Sequence, residues 1–154
     1  MGCVAVVVAV AATAGLFNSV RAATTERVVS DWRTGLALFG FDPVAYFTDA
    51  APLQGNGNFE YSYAGVIWRF RNLGNRAAFV DRPDVYMPRF GGYDPVAIAR
   101  GVAVAGSPQY WQIVDQRLYV FSTQSAQAAF AKDPKHAIGV ADGRWPDVIK
   151  TLSP

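Results

Sequence analysis

Gly40-Phe41-Asp42-Pro43-Val44-Ala45 returns as Gly92-Tyr93-Asp94-Pro95-Val96-Ala97. The echo continues downstream. Trp68-Arg69-Phe70 aligns with Tyr119-Val120-Phe121, Ala77-Ala78-Phe79 with Ala128-Ala129-Phe130, and Pro83 with Pro134. All four blocks recur at one spacing of about 51 or 52 residues, which is the mark of an internal duplication. The pattern predicts an α+β fold: two repeated units, each a helical turn, a β-hairpin and a helix, packed into one small domain.

Local chemistry supports each piece of the unit. Asp before Pro suits the start of a helix, because the carboxylate accepts an orphan N–H and proline lacks the one it would leave unpaired. Phe59-Glu60-Tyr61-Ser62-Tyr63 and Val66-Ile67-Trp68-Arg69-Phe70 flank Ala64-Gly65, giving strand, tight turn and strand. Tyr110 to Val114 and Arg117 to Phe121 flank Asp115-Gln116 in the same way. Asn72 and Ser122 are the expected caps of helices running to about Asp81 and Lys132, with Phe79 and Phe130 on the buried faces. Gly101 is a fitting helix stop after Arg100. Asp133-Pro134 opens a further helix, and Trp145-Pro146 is expected to begin the last.

The chain has 154 residues, of which 51 % are hydrophobic and 14 % aromatic, enough to build one packed core. Its net charge is +2, from 14 basic and 12 acidic residues scattered singly. No basic cluster exists to neutralise a run of phosphates, so nucleic acid is not an expected partner. Residues 1–22 differ in kind. Val4 to Phe17 is almost wholly Val, Ala, Gly and Leu, and Val20-Arg21-Ala22 fits the small-x-small rule for cleavage before Ala23. About 14 apolar residues fall short of the ~20 that a spanning helix needs, so this reads as a signal peptide, with an uncleaved N-terminal anchor as the competitor. A periplasmic or secreted protein with no membrane span after cleavage is expected. Residues 23–37 read as a linker and 38–152 as the domain. Cys3, the one cysteine, falls in the leader, so the mature chain can form no disulfide, Cys-rich zinc site, iron–sulfur cluster or cysteine nucleophile.

Three stretches carry a likeness to a known family: Gly40 to Phe47; Tyr86-Met87-Pro88-Arg89-Phe90-Gly91-Gly92-Tyr93 with Val96-Ala97 and Gly101; and Pro108, Trp111, Leu118-Tyr119, Ala141-Asp142 and Trp145-Pro146. Together they resemble the small secreted YHS-domain proteins over about Leu38 to Leu152. The resemblance implies a small α+β domain, linked to metal ions through related domains in copper pumps and metal sensors. Where the family pattern usually has cysteine after Gly-Gly-Tyr, this chain has Asp94, which replaces a soft ligand with a hard oxygen donor.

The candidate chemistry concentrates in a few residues. Asp94 is either a metal ligand or general base, or a helix cap like Asp42; the repeat favours the cap. His136, the one histidine, is a candidate metal ligand or acid–base group, or else a surface side chain. Phe90-Gly91-Gly92-Tyr93 lacks the Lys-Ser/Thr of a phosphate loop, so its glycines read as a turn or a close backbone approach. Tyr46, Tyr86, Phe90, Gly91, Gly92, Tyr93 and Trp111 are the expected lining of an aromatic cleft able to hold a flat or haem-like ligand. No nucleophile–histidine–acid pattern is readable, so no catalytic residue is assigned. The sequence thus favours an exported binding module for a small ligand or a metal ion. A small envelope enzyme or redox accessory using His136 and Asp94, and a structural interaction domain, are the alternatives.

Overall fold

The computed structural model describes residues 26–152. The signal-peptide expectation, residues 1–22, lies outside them. The fold is the expected α+β, and the duplication is present down to single hydrogen bonds.

The first unit opens with a tight turn at Leu38–Gly40, followed by α1 (Ala45–Thr48), β1 (Asn56–Tyr63), β2 (Val66–Phe70) and α2 (Leu73–Asp81). A short α3 (Pro83–Tyr86) leads to the second unit. That unit has a tight turn at Arg89–Gly92, then α4 (Pro95–Ala99), β3 (Ser107–Val114), β4 (Arg117–Phe121) and α5 (Gln124–Lys132). The long α6 (Pro134–Val148) closes the domain. Among the described residues no helix is long and apolar enough to cross a membrane.

Each unit enters its helix through three successive left-handed residues, Leu38-Phe39-Gly40 and Phe90-Gly91-Gly92, with φ of 47°, 54° and 84° in one and 55°, 62° and 90° in the other. Non-glycine residues in this region cost about 1–2 kcal/mol each, and buried Leu38 and Phe90 hold the turns in place by packing. The amide of Phe41 then donates to the carbonyl of Leu38, and that of Tyr93 to Phe90.

The hairpins match just as closely. Tyr61 pairs with Trp68 and Tyr63 with Val66; Gln112 pairs with Tyr119 and Val114 with Arg117. Both ladders shift register at the same place, between Asn56 and Glu60 and between Ser107 and Trp111. Both turns have positive φ at their two central residues, Ala64-Gly65 and Asp115-Gln116, the geometry that matches strand twist in two-residue hairpins.

Two cores result, with β4 between them. Leu118 and Val120 face the core of Trp68, Phe70 and Phe79, while Tyr119 and Phe121 face that of Phe130, Ile98 and Tyr93. This strand is buried on both faces, so it reads as a continuous apolar run after Arg117. In β2, by contrast, burial alternates.

Three expectations need correction. Residues 26–37 are no linker: Val28 packs into the first core and Val29 into the second. The Val29 amide donates to the Gly91 carbonyl at 2.7 Å, and its carbonyl accepts from Leu38 N at 3.2 Å, so this extended segment clasps both left-handed turns. The cap of α5 is Thr123, which accepts from Ala126 N; Ser122 is used elsewhere, as described below. Trp145-Pro146 begins no new helix. α6 runs through Pro146, three residues before its C-cap, and the missing proline N–H removes one hydrogen bond, at the exposed Asp142.

Candidate ligand cleft

Asp94 is 1 % exposed and accepts three hydrogen bonds. One oxygen caps α4, accepting from Val96 N at 2.8 Å; the other accepts from Ser122 N at 2.9 Å and Ser122 Oγ at 2.6 Å. Asp42 repeats the arrangement, with Val44 N at 2.8 Å on one oxygen and Arg71 N at 2.8 Å and Asn75 Nδ2 at 2.7 Å on the other. Three hydrogen bonds and near-complete burial commit the Asp94 carboxylate to the fold and leave an ion no open approach to it. His136 is exposed in the first turn of α6, where its amide donates to Asp133. Among the described residues no three His, Cys, Asp or Glu side chains are grouped to hold a metal. The pairing of Asp94 with His136 as metal ligands, or as a catalytic pair, is therefore replaced by a structural role for Asp94.

The aromatic expectation divides in two. Tyr46 is core: its hydroxyl donates to the Pro108 carbonyl at 3.0 Å, and its ring meets Trp111 edge-on at 5.2 Å. Burial, with the Asp42 charge as a smaller cause, raises its ionisation well above the usual tyrosine value. Tyr86 packs edge-on against Phe47 at 5.2 Å. Tyr93 is buried and donates to the Glu26 carbonyl at 2.5 Å, and Gly92 is buried in its turn. Of the seven expected lining residues, Phe90 and Gly91 border an open cleft.

That cleft has a volume of about 430 Å³ and is walled by Tyr63 and Ala64 from the first hairpin, Asp84, Met87 to Gly91, Arg117 and Trp145. Its position follows from the fold. The left-handed turn aims Phe90 inward, where Trp145 from α6 meets it edge-on at 5.5 Å. The Arg89 guanidinium stacks over Phe90 at 5.2 Å and forms an ion pair with Asp142. Arg117, the first residue of β4, donates to the Asp84 backbone carbonyl. Tyr119 lies buried behind them; burial raises its phenol, and Arg89 and Arg117 oppose that rise.

Gly91 has a different task. A β-carbon there would lie 1.9 Å from the Arg27 carbonyl oxygen, so only glycine lets the segment Glu26 to Val29 cross the turn. Its counterpart in the first unit, Phe39, carries a side chain that is 41 % exposed.

Tyr63, Arg89, Arg117 and Trp145 were absent from the sequence-derived lining. A signal for two of them lies in the duplication itself. Where the second unit has Arg89 and Arg117, the first has Ala37 and Val66, both buried. The cleft thus sits where the repeat is broken by charge. Comparisons of the chain with family models, with curated proteins and with solved structures find no match, so the YHS resemblance rests on its motif residues alone.

Proposed function

We propose that this chain is an exported, non-catalytic binding module that holds a small flat ligand in the cleft between the Tyr63 hairpin tip, the Met87–Gly91 segment and α6. One observation carries the reading: apolar rings and two guanidinium groups converge on a concavity of about 430 Å³. Sites for small molecules combine apolar walls with a few oriented polar groups, in clefts of roughly 300–1,000 Å³. The volume lies at the small end of that range, which suits a one- or two-ring compound. The segment Met87 to Gly91 belongs to the central stretch that resembles the YHS family, and the proposal assigns that stretch to ligand contact rather than to metal. Export rests on the apolar leader before Ala23.

Ligand-detected NMR on the purified protein, with a mixture of indole, p-cresol, benzamide and benzoate, tests the reading. Saturation transfer to at least one ring compound is expected, together with its loss in Trp145→Ala at unchanged circular dichroism. Transfer to none of them, or transfer that survives the substitution, would sink it.

A further inference from the structure

Three charged side chains border the cleft, and two of them are already balanced. Arg89 is paired with Asp142, and Asp84 faces Arg82 at 4.0 Å. Arg117 differs. Among the described residues it forms no ion pair, and its one hydrogen bond runs from Nη1 to the neutral Asp84 carbonyl. Its full charge and its Nε–Nη2 edge therefore stay uncommitted. The side chain is half-buried, so an anion meeting it is less screened than on open surface.

The fold does not require a cation there. The equivalent strand position in the first unit is Val66, buried at 8 % exposure, and it closes the same hairpin with the same pairing. Arg117 thus stands where the first unit closes its hairpin with an apolar side chain, which points to a task outside folding.

Resting on the binding-module reading, we infer that the cleft takes a small aromatic monocarboxylate, its carboxylate on Arg117 and its ring between Trp145 and the Tyr63 hairpin tip. One uncompensated cation matches one negative charge. The second charge of a dianion would find no free cation in the cleft, which disfavours phosphate esters. The Arg fork suits the two parallel oxygens of a carboxylate.

The test is an NMR titration of the purified protein with indole-3-carboxylate and benzoate against indole-3-carboxamide and benzamide, with inorganic phosphate as a charge-only probe. The carboxylates should bind on the order of tenfold tighter than their amides. Arg117→Gln, which keeps a donor for the Asp84 carbonyl, should erase that preference while leaving amide affinity and the melting temperature in place. If the glutamine variant fails to fold, the wild-type preference must shrink as sodium chloride rises; a salt-independent preference rejects Arg117 as anchor. Equal affinity for acid and amide overturns the carboxylate assignment and leaves the binding module standing. Phosphate binding as tightly as the aromatic acids overturns it too, and binding of no ring compound removes both.

Discussion

Asp94 accepts two hydrogen bonds from Ser122 on a single oxygen, one from the amide at 2.9 Å and one from the hydroxyl at 2.6 Å. With its other oxygen on the first turn of α4, the carboxylate joins the start of a helix to the end of the second hairpin strand. Asp42 makes the same link through Arg71, which occupies the place of Ser122 in the first unit. The helix-cap expectation was therefore right and incomplete. A cap alone would tolerate Asp94→Asn, since one acceptor suffices. The bridge does not, because an amide nitrogen would oppose the Ser122 N–H donor to donor. Urea unfolding should find Asp94→Asn and Asp42→Asn each less stable by about 1–3 kcal/mol, the usual cost of an unsatisfied buried group. Chelator should leave the wild-type melting temperature where it is; a drop on metal removal would return Asp94 to candidacy as a ligand.

Phe79 and Phe130 occupy equivalent seats. Phe79 lies 4.9 Å from Trp68 and 5.2 Å from Phe70, and Phe130 lies 5.3 Å from Tyr119 and 4.9 Å from Phe121. Each is at most 1 % exposed. Truncation to alanine should cost about 3–5 kcal/mol at either site, by loss of burial plus a cavity. Chemical denaturation of the two variants measures this, and a marked difference between them would mean that one core relaxes around the void and the other does not.

The repeat was legible because capping and hairpin chemistry are local: Asp-Pro, a two-residue turn and a phenylalanine one helical face away recur wherever the unit recurs. The cleft was not, because it is assembled across units. Tyr63 comes from the first hairpin, Arg117 from the second and Trp145 from α6, and no local spacing relates them. Aromatic content pointed to a pocket, yet most rings, Tyr46 and Tyr86 among them, were needed for the cores. The N-terminal segment escaped notice for a related reason. Val28 and Val29 bury side chains into opposite cores, which looks like an ordinary short apolar stretch until both cores exist.

Tyr46 links the two units through its hydrogen bond to Pro108, and its phenol is held far above the ordinary 10.0, first by burial and then by the Asp42 charge. A folded value raised above the unfolded one contributes stability that is present below about pH 10 and lost as pH rises further. Alkaline titration followed by ultraviolet tyrosinate absorbance should show buried phenols, Tyr46 among them, ionising only as circular dichroism reports unfolding. In Tyr46→Phe that late step should shrink by one phenol. The variant should also lose about 1–2 kcal/mol at neutral pH, because the buried Pro108 carbonyl is left without its donor. Ionisation of every tyrosine before unfolding would contradict the burial of this hydroxyl.

The clasp makes the sharpest demand on individual residues. Glu26 to Val29 cross the second left-handed turn at Gly91, where a β-carbon would lie 1.9 Å from the Arg27 carbonyl oxygen, while Phe39 holds the matching φ of 54° in the first turn with an exposed side chain. The same backbone shape thus faces opposite requirements. Gly91→Ala adds both left-handed strain and a collision, and the segment must lift, exposing Val28 and Val29. A loss of about 3 kcal/mol or more is expected, from about 1–2 kcal/mol of strain together with the valine burial forfeited. Phe39→Gly removes strain at little packing cost and should be neutral or raise stability by up to about 1 kcal/mol. Chain shortening separates the clasp from the leader. A product beginning at Ala23 retains every clasp contact and should melt like the full chain, whereas one beginning at Asp31 should unfold at markedly lower temperature. Calorimetry of the four variants checks the set, and a Gly91→Ala protein as stable as wild type would mean that the N-terminal segment does not cross the turn.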